Sequence, residues 1–181
     1  FGNGYSTDVA GNNGYAYLFV VNAEDGSLVK KLRVGTQDTG VVNGLATVTP
    51  VDIDGDFKTD YIYAGDLLGD VYRFDVTNEN EADWSATKIF SAKGPDNRPQ
   101  KITSRPSVVF HPEGLGGVLV MFGTGSYMAS TDISQDQQTQ SFYAIWDTLD
   151  GAAPAFSRIG STPYLKQSIV RESNGLRVTS D

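Results

Sequence analysis

The chain has 181 residues, no Cys and one His, and its 14 Lys plus Arg against 22 Asp plus Glu give a net charge of 14 − 22 = −8. With 39% hydrophobic and 11% aromatic residues it can bury a core, so the bulk is read as folded and of ordinary domain size. The composition excludes disulfides, thiolate metal sites and any site that needs two imidazoles, and an acidic chain without a basic stripe is not expected to bind nucleic acid. The longest apolar runs, Tyr15 to Val21 and Val118 to Phe122, fall short of the roughly 20 residues of a spanning helix, so no membrane insertion is expected. Residue 1 is Phe and no charged, then apolar, leader follows, so the chain is expected to be processed or excised.

Twenty glycines separate short stretches of Val, Ile, Tyr and Phe, the punctuation of an all-β fold. In chain order the predicted strands are Tyr15 to Asn22, Ser27 to Val34, Leu45 to Val51, Tyr61 to Ala64, Asp70 to Val76, Thr87 to Phe90, Ser104 to His111, Val118 to Phe122 and Ser141 to Asp147. Two polar stretches, Glu79 to Thr87 and Thr131 to Gln140, lack an apolar stripe at helical spacing and are read as loops with a turn of helix.

Three strands share a shape, an apolar or aromatic run closing on Asn or Asp: Leu18 to Asn22, Val71 to Asp75 and Tyr143 to Asp147. Each is preceded by an aromatic strand end that runs into a Gly turn, at Phe1-Gly2, Tyr63-Ala64-Gly65 and Phe122-Gly123, with Gly65 and Gly123 58 residues apart. Such echoes in register predict a repeat, somewhat longer than the about 40–50 residues of common propeller units. The expected architecture is therefore an arc of a modified β-propeller with four-stranded antiparallel blades. It comprises a blade remnant at about 1–40, a blade at about 45–90, a blade at about 104–150, and a tail at 151–181. A closed propeller needs about four to eight blades, so open edges are expected, and with them a longer parent, a stable fragment or an oligomer.

The most specific segment is Asp52-Ile-Asp54-Gly-Asp56-Phe-Lys58-Thr-Asp60, with carboxylates at loop positions 1, 3, 5 and 9. Alternate carboxylates around a Gly turn suit a hard cation that takes six to eight oxygens, and Ca²⁺ is expected rather than Mg²⁺, which demands stricter octahedral geometry. The expected ligands are Asp52, Asp54, Asp56 and Asp60 with the Lys58 backbone carbonyl, Asp60 binding through both oxygens. An EF-hand would require Glu at position 12, where Tyr63 stands in a predicted strand, so the loop is flanked by strands. No catalytic set is found: His111 lies in a His-Pro-Glu-Gly turn, and Phe122 to Tyr127 lacks the Lys-Ser/Thr and the helix of a phosphate loop. Asp66 and Asp70 are read as shaping a tight turn about Gly69, and Trp84, Trp146, Tyr127 and Tyr143 as packing between blades.

Phe1-Gly-Asn-Gly-Tyr5, Thr49-Pro-Val-Asp-Ile-Asp-Gly-Asp56, Asp60-Tyr-Ile-Tyr-Ala-Gly-Asp-Leu-Leu-Gly-Asp-Val-Tyr-Arg-Phe-Asp75, Arg105-Pro-Ser-Val108, Phe122-Gly-Thr-Gly-Ser-Tyr127 and Phe142-Tyr-Ala-Ile-Trp-Asp147 together resemble the C-terminal propeller of the PilY family of type IV pilus tip-associated adhesins and assembly factors. The resemblance covers about residues 1–150. It implies a non-enzymatic module whose calcium, in the Asp loop, tunes pilus extension against retraction, twitching motility and attachment. It also implies minor pilins or other pilus components and a host or abiotic surface as partners, and a place at the cell surface or pilus tip, with the outer membrane or periplasm in transit. The Arg-Gly-Asp motif of some members is absent from this chain. Two other readings fit less well: an integrin-α-like propeller should carry the Asp loop in several blades, and a quinoprotein dehydrogenase places its calcium in a central funnel with scattered ligands.

Overall fold

The computed structural model describes residues 1–5, 13–38, 40–128, 130–133, 138–150 and 169–179. Its strands are β1 (Tyr15–Val21), β2 (Leu28–Gly35), β3 (Thr49–Val51), β4 (Tyr61–Gly65), β5 (Asp70–Asp75), β6 (Ser85–Ser91), β7 (Ser107–Phe110), β8 (Val118–Gly123), β9 (Phe142–Asp147), β10 (Ile169–Ser173) and β11 (Leu176–Thr179). All pairing between these strands is antiparallel and sequential, giving sheets β1-β2, β3-β4-β5-β6, β7-β8-β9 and β10-β11. Among the described residues, helix is confined to 3-10 turns at Glu81–Asp83 and Ser130–Ile133.

The four-stranded sheet is central and packs on both faces. One face, with Ala64, Tyr72 and Phe74, meets Ala16, Leu18, Leu32 and Val34 of the first sheet. The other, with Tyr63, Val71 and Ile89, meets Val118, Val120, Phe122, Tyr143 and Ile145 of the third. Double coverage explains why Val71-Tyr72-Arg73-Phe74 is buried without interruption, whereas β8 alternates, burying Val118, Val120 and Phe122 with half-buried residues between.

The three Asn/Asp-ended segments take one sheet position, each paired beside a Gly-ended partner: Gly2 opposite Leu18, Gly65 opposite Val71 and Gly123 opposite Phe142. A second repeat escaped the sequence reading. Buried Leu45 and Ile102 lie on chain segments that stitch neighbouring sheets together. Gly4 N–H donates to Leu45 O and Ala46 N–H to Gly65 O, while Ile102 N–H donates to Asp66 O and Gly125 N–H to Lys101 O.

These crossings account for boundaries that differ from expectation. Residues 44–46 serve two sheets, so β3 begins only at Thr49 rather than Leu45. β7 begins at Ser107 rather than Ser104, because Pro106 has no N–H for the ladder. β6 begins earlier than expected, at Ser85, after the 3-10 turn capped by the Asn80 side chain. The hairpin β10-β11 in the tail was not anticipated, although Asn174-Gly175, both at positive φ, is a strong hairpin turn signal. Residues 151–168 and 134–137 lie outside the described residues.

Candidate metal centre in the β3-β4 loop

The Asp loop joins β3 to β4, and its base is closed by Asp60 N–H donating to Val51 O at 2.9 Å. Within it every carboxylate is aimed by backbone donors. Asp52 accepts from Gly55 N–H (2.7 Å) and Phe57 N–H (2.9 Å), Asp54 from Asp56 N–H (3.0 Å), Asp56 from Lys58 N–H (2.8 Å), and Asp60 from Ile53 N–H (2.7 Å). Gly55 and Phe57 both take positive φ, 81° and 68°, which folds the chain back upon itself.

Asp52, Asp54 and Asp60 each offer an oxygen within 4.8 Å of the others. Two oxygens that share a Ca²⁺ at about 2.3–2.6 Å lie at most about 4.6–5.2 Å apart, so these three meet the condition for one calcium. Asp56 is not among them: its Oδ2 stands 3.7 Å from Lys58 Nζ, both side chains being exposed. Across residues 52–60 four Asp and one Lys leave −4 + 1 = −3, a charge that favours a cation. An all-oxygen, acidic set of this kind fits a hard cation.

Two buried polar nodes tie the central sheet to its neighbours. Arg73 Nη1 donates to Asp147 Oδ1 at 2.6 Å, Tyr63 Oη donates to Asp147 Oδ2 at 2.9 Å, and the Arg73 guanidinium lies 5.4 Å from the Tyr61 ring centre. Burial raises the Tyr63 hydroxyl pKa, and the Asp147 charge raises it further. The second node is Asp66, which accepts from Asn43 Nδ2 (2.9 Å), Leu68 N–H (3.0 Å) and Asp70 N–H (2.9 Å). Burial pushes its carboxyl up to about 6 despite these donors. Asp66 therefore does shape the turn through Gly69, and it also ties the first sheet to the central one through Asn43, a partner that no local spacing reveals. Of the four aromatics expected between blades, Tyr143 is in the core between the central and third sheets, and Trp84 packs against the core between the first and central sheets. Trp146 instead meets the His111 ring at a tilt, 4.9 Å between centres, and Tyr127 is exposed.

This stack of antiparallel sheets, with a repeated crossing between neighbours, is of the propeller class. A family model described as the PilY1 beta-propeller domain matches residues 1–180. The type IV pilus biogenesis factor PilY1 of Pseudomonas aeruginosa strain UCBPP-PA14 is 31% identical over 96% of this chain and 17% of its own length. The PilY1 of strain PAO1 is 34% identical over 94% and 16%. The crystal structure of the Pseudomonas aeruginosa PilY1 C-terminal domain superposes with a TM-score of 0.72 at 31% identity, covering 99% of this chain and 42% of that one. The chain belongs to the PilY1 β-propeller family. It spans about a sixth of the length of the curated relatives it matches.

Proposed function

We propose that the chain is a calcium-binding, non-enzymatic propeller module of a type IV pilus biogenesis factor, its sheets serving as successive blades. The carrying observation is the convergence of Asp52, Asp54 and Asp60 on one point in the loop that closes the β3-β4 hairpin. Calcium would be held by these three carboxylates with the Lys58 carbonyl and water, and Asp56 would join by releasing Lys58. Bound there, the cation offsets most of the negative charge of the loop and fixes the β3-β4 hairpin of the central sheet. Family membership supports a place on the pilus or cell surface and contact with minor pilins or other pilus components. In that setting calcium occupancy would bias pilus extension against retraction, and with it twitching and attachment to host or abiotic surfaces. A non-catalytic role is supported by the only His, which is half-buried, accepts from Glu113 N–H and packs its ring at a tilt against Trp146.

The test is Asp54→Ala in the full-length protein of a piliated cell, scoring surface pili and twitching zones at matched protein levels. Altered pilus numbers and twitching are expected. Unchanged pili and motility would contradict the reading.

A further inference from the structure

The metal loop is fastened to the body of the protein at one apolar point. Ile53, between two of the converging carboxylates, is half-buried and packs with Val51, Tyr61 and Val108 against the core between the central and third sheets. Its N–H donates to Asp60 Oδ2 at 2.7 Å, which brings the last carboxylate of the loop to the first limb. From Asp54 to Lys58 the loop is exposed, and its other apolar side chain, Phe57, is 97% exposed. One residue thus plugs the core and holds a carboxylate that lies seven positions away.

We propose that Ile53 is the positioning residue of the cation site: anchored in the inter-sheet core, it holds Asp60 against Asp52 and Asp54, although its side chain offers no ligand atom. The inference rests on the calcium reading above. Three carboxylates gathered without a counterion repel, and ordering a loop during binding subtracts from affinity. Packing of Ile53 against the core meets part of that ordering cost before the cation arrives. Metal affinity in the exposed loop is therefore set by packing between two sheets, and the seam in turn tightens when the cation binds, since coupling is reciprocal.

Calcium titration of the whole chain as wild type, Ile53→Ala, Ile53→Val and Phe57→Ala separates positioning from mere stability. Ile53→Ala is expected to weaken calcium binding about tenfold, the lower end of the effect of removing a group that orients a metal ligand. Ile53→Val should fall between Ala and wild type, and Phe57→Ala should stay within about twofold of wild type. If Ile53 is only a core residue, Ile53→Ala lowers the metal-free melting temperature and leaves the calcium affinity unchanged, which overturns the inference. Should Ile53→Ala fail to fold, amide exchange in wild type decides. Calcium is expected to slow exchange at Ile53, Asp60 and Val108, and slowing confined to Gly55–Lys58 overturns the inference. Wild type that takes up no calcium refutes the calcium reading and this inference with it, whereas calcium binding that ignores Ile53→Ala refutes this inference alone.

Discussion

Arg73 of β5 and Asp147 of β9, 74 residues apart, meet at 2.6 Å between the central and third sheets, with Asp147 fully buried and Arg73 nearly so. The Tyr63 hydroxyl and the Leu149 N–H also donate to this carboxylate. A buried pair contributes little net stability compared with apolar residues of its size, but removing one member strands the other charge.

Asp147→Ala and Arg73→Met should each destabilise the chain by about 3–5 kcal/mol in urea unfolding. The double variant should cost clearly less than the sum, because each single change already breaks the same contact. Additive costs would show that the pair does not act as a unit.

Asp66 gives a pH dependence whose sign is opposite to that of a salt-bridged carboxylate. Burial raises its folded pKa from 3.8 to about 6, so the folded state takes up its proton more readily than the unfolded chain. The penalty for the ionised form is fully present above the folded pKa and disappears as the pH falls towards the unfolded value. The contribution of Asp66 to stability should therefore improve by about 3 kcal/mol between pH 7.5 and pH 3.5. Carboxyl chemical shifts of Asp66 across that range check it, and a midpoint near 4 would contradict it.

Gly69 and Gly55 separate crowding from backbone strain. Both have positive φ, 82° and 81°. A Cβ on Gly69 would lie 2.7 Å from the Ala92 and Gln100 carbonyl oxygens, whereas one on Gly55 meets nothing within 4 Å. Gly55→Ala should cost about 1–2 kcal/mol, the left-handed penalty alone. Gly69→Ala should cost more, since backbone atoms must also move. Equal midpoint shifts in denaturant would contradict the distinction.

How much of this was legible in the sequence follows from how local each signal is. The Gly-ended and Asp-ended strands and the Asp loop are short patterns, so Gly65, Val71 to Asp75 and Asp52 to Asp60 announced themselves. Asp147 closed a recognised strand but gave no sign of its partner, because its contact with Arg73 depends on how two sheets stack. Asn43, Leu45 and Ile102 sit in segments without periodicity, and their roles at the crossings come from bonds to strands on either side. Ile53 was hidden in plain view within the Asp pattern, because its packing is against a core assembled from two sheets far apart in the chain. The Asn174-Gly175 turn was readable in principle, but its hairpin is exposed from Val170 to Val178 and there lacks the buried alternation that marks a core strand.

The most direct test of the central claim is a thermal melt of wild type and Asp54→Ala in calcium, in magnesium and in neither. Calcium at about 100 times its Kd should stabilise the wild type by about 2.7 kcal/mol, raising its melting temperature by about 5–10 °C. Asp54→Ala should not respond, and magnesium should do less than calcium. Identical melts of wild type in all three conditions would contradict a calcium site at Asp52, Asp54 and Asp60.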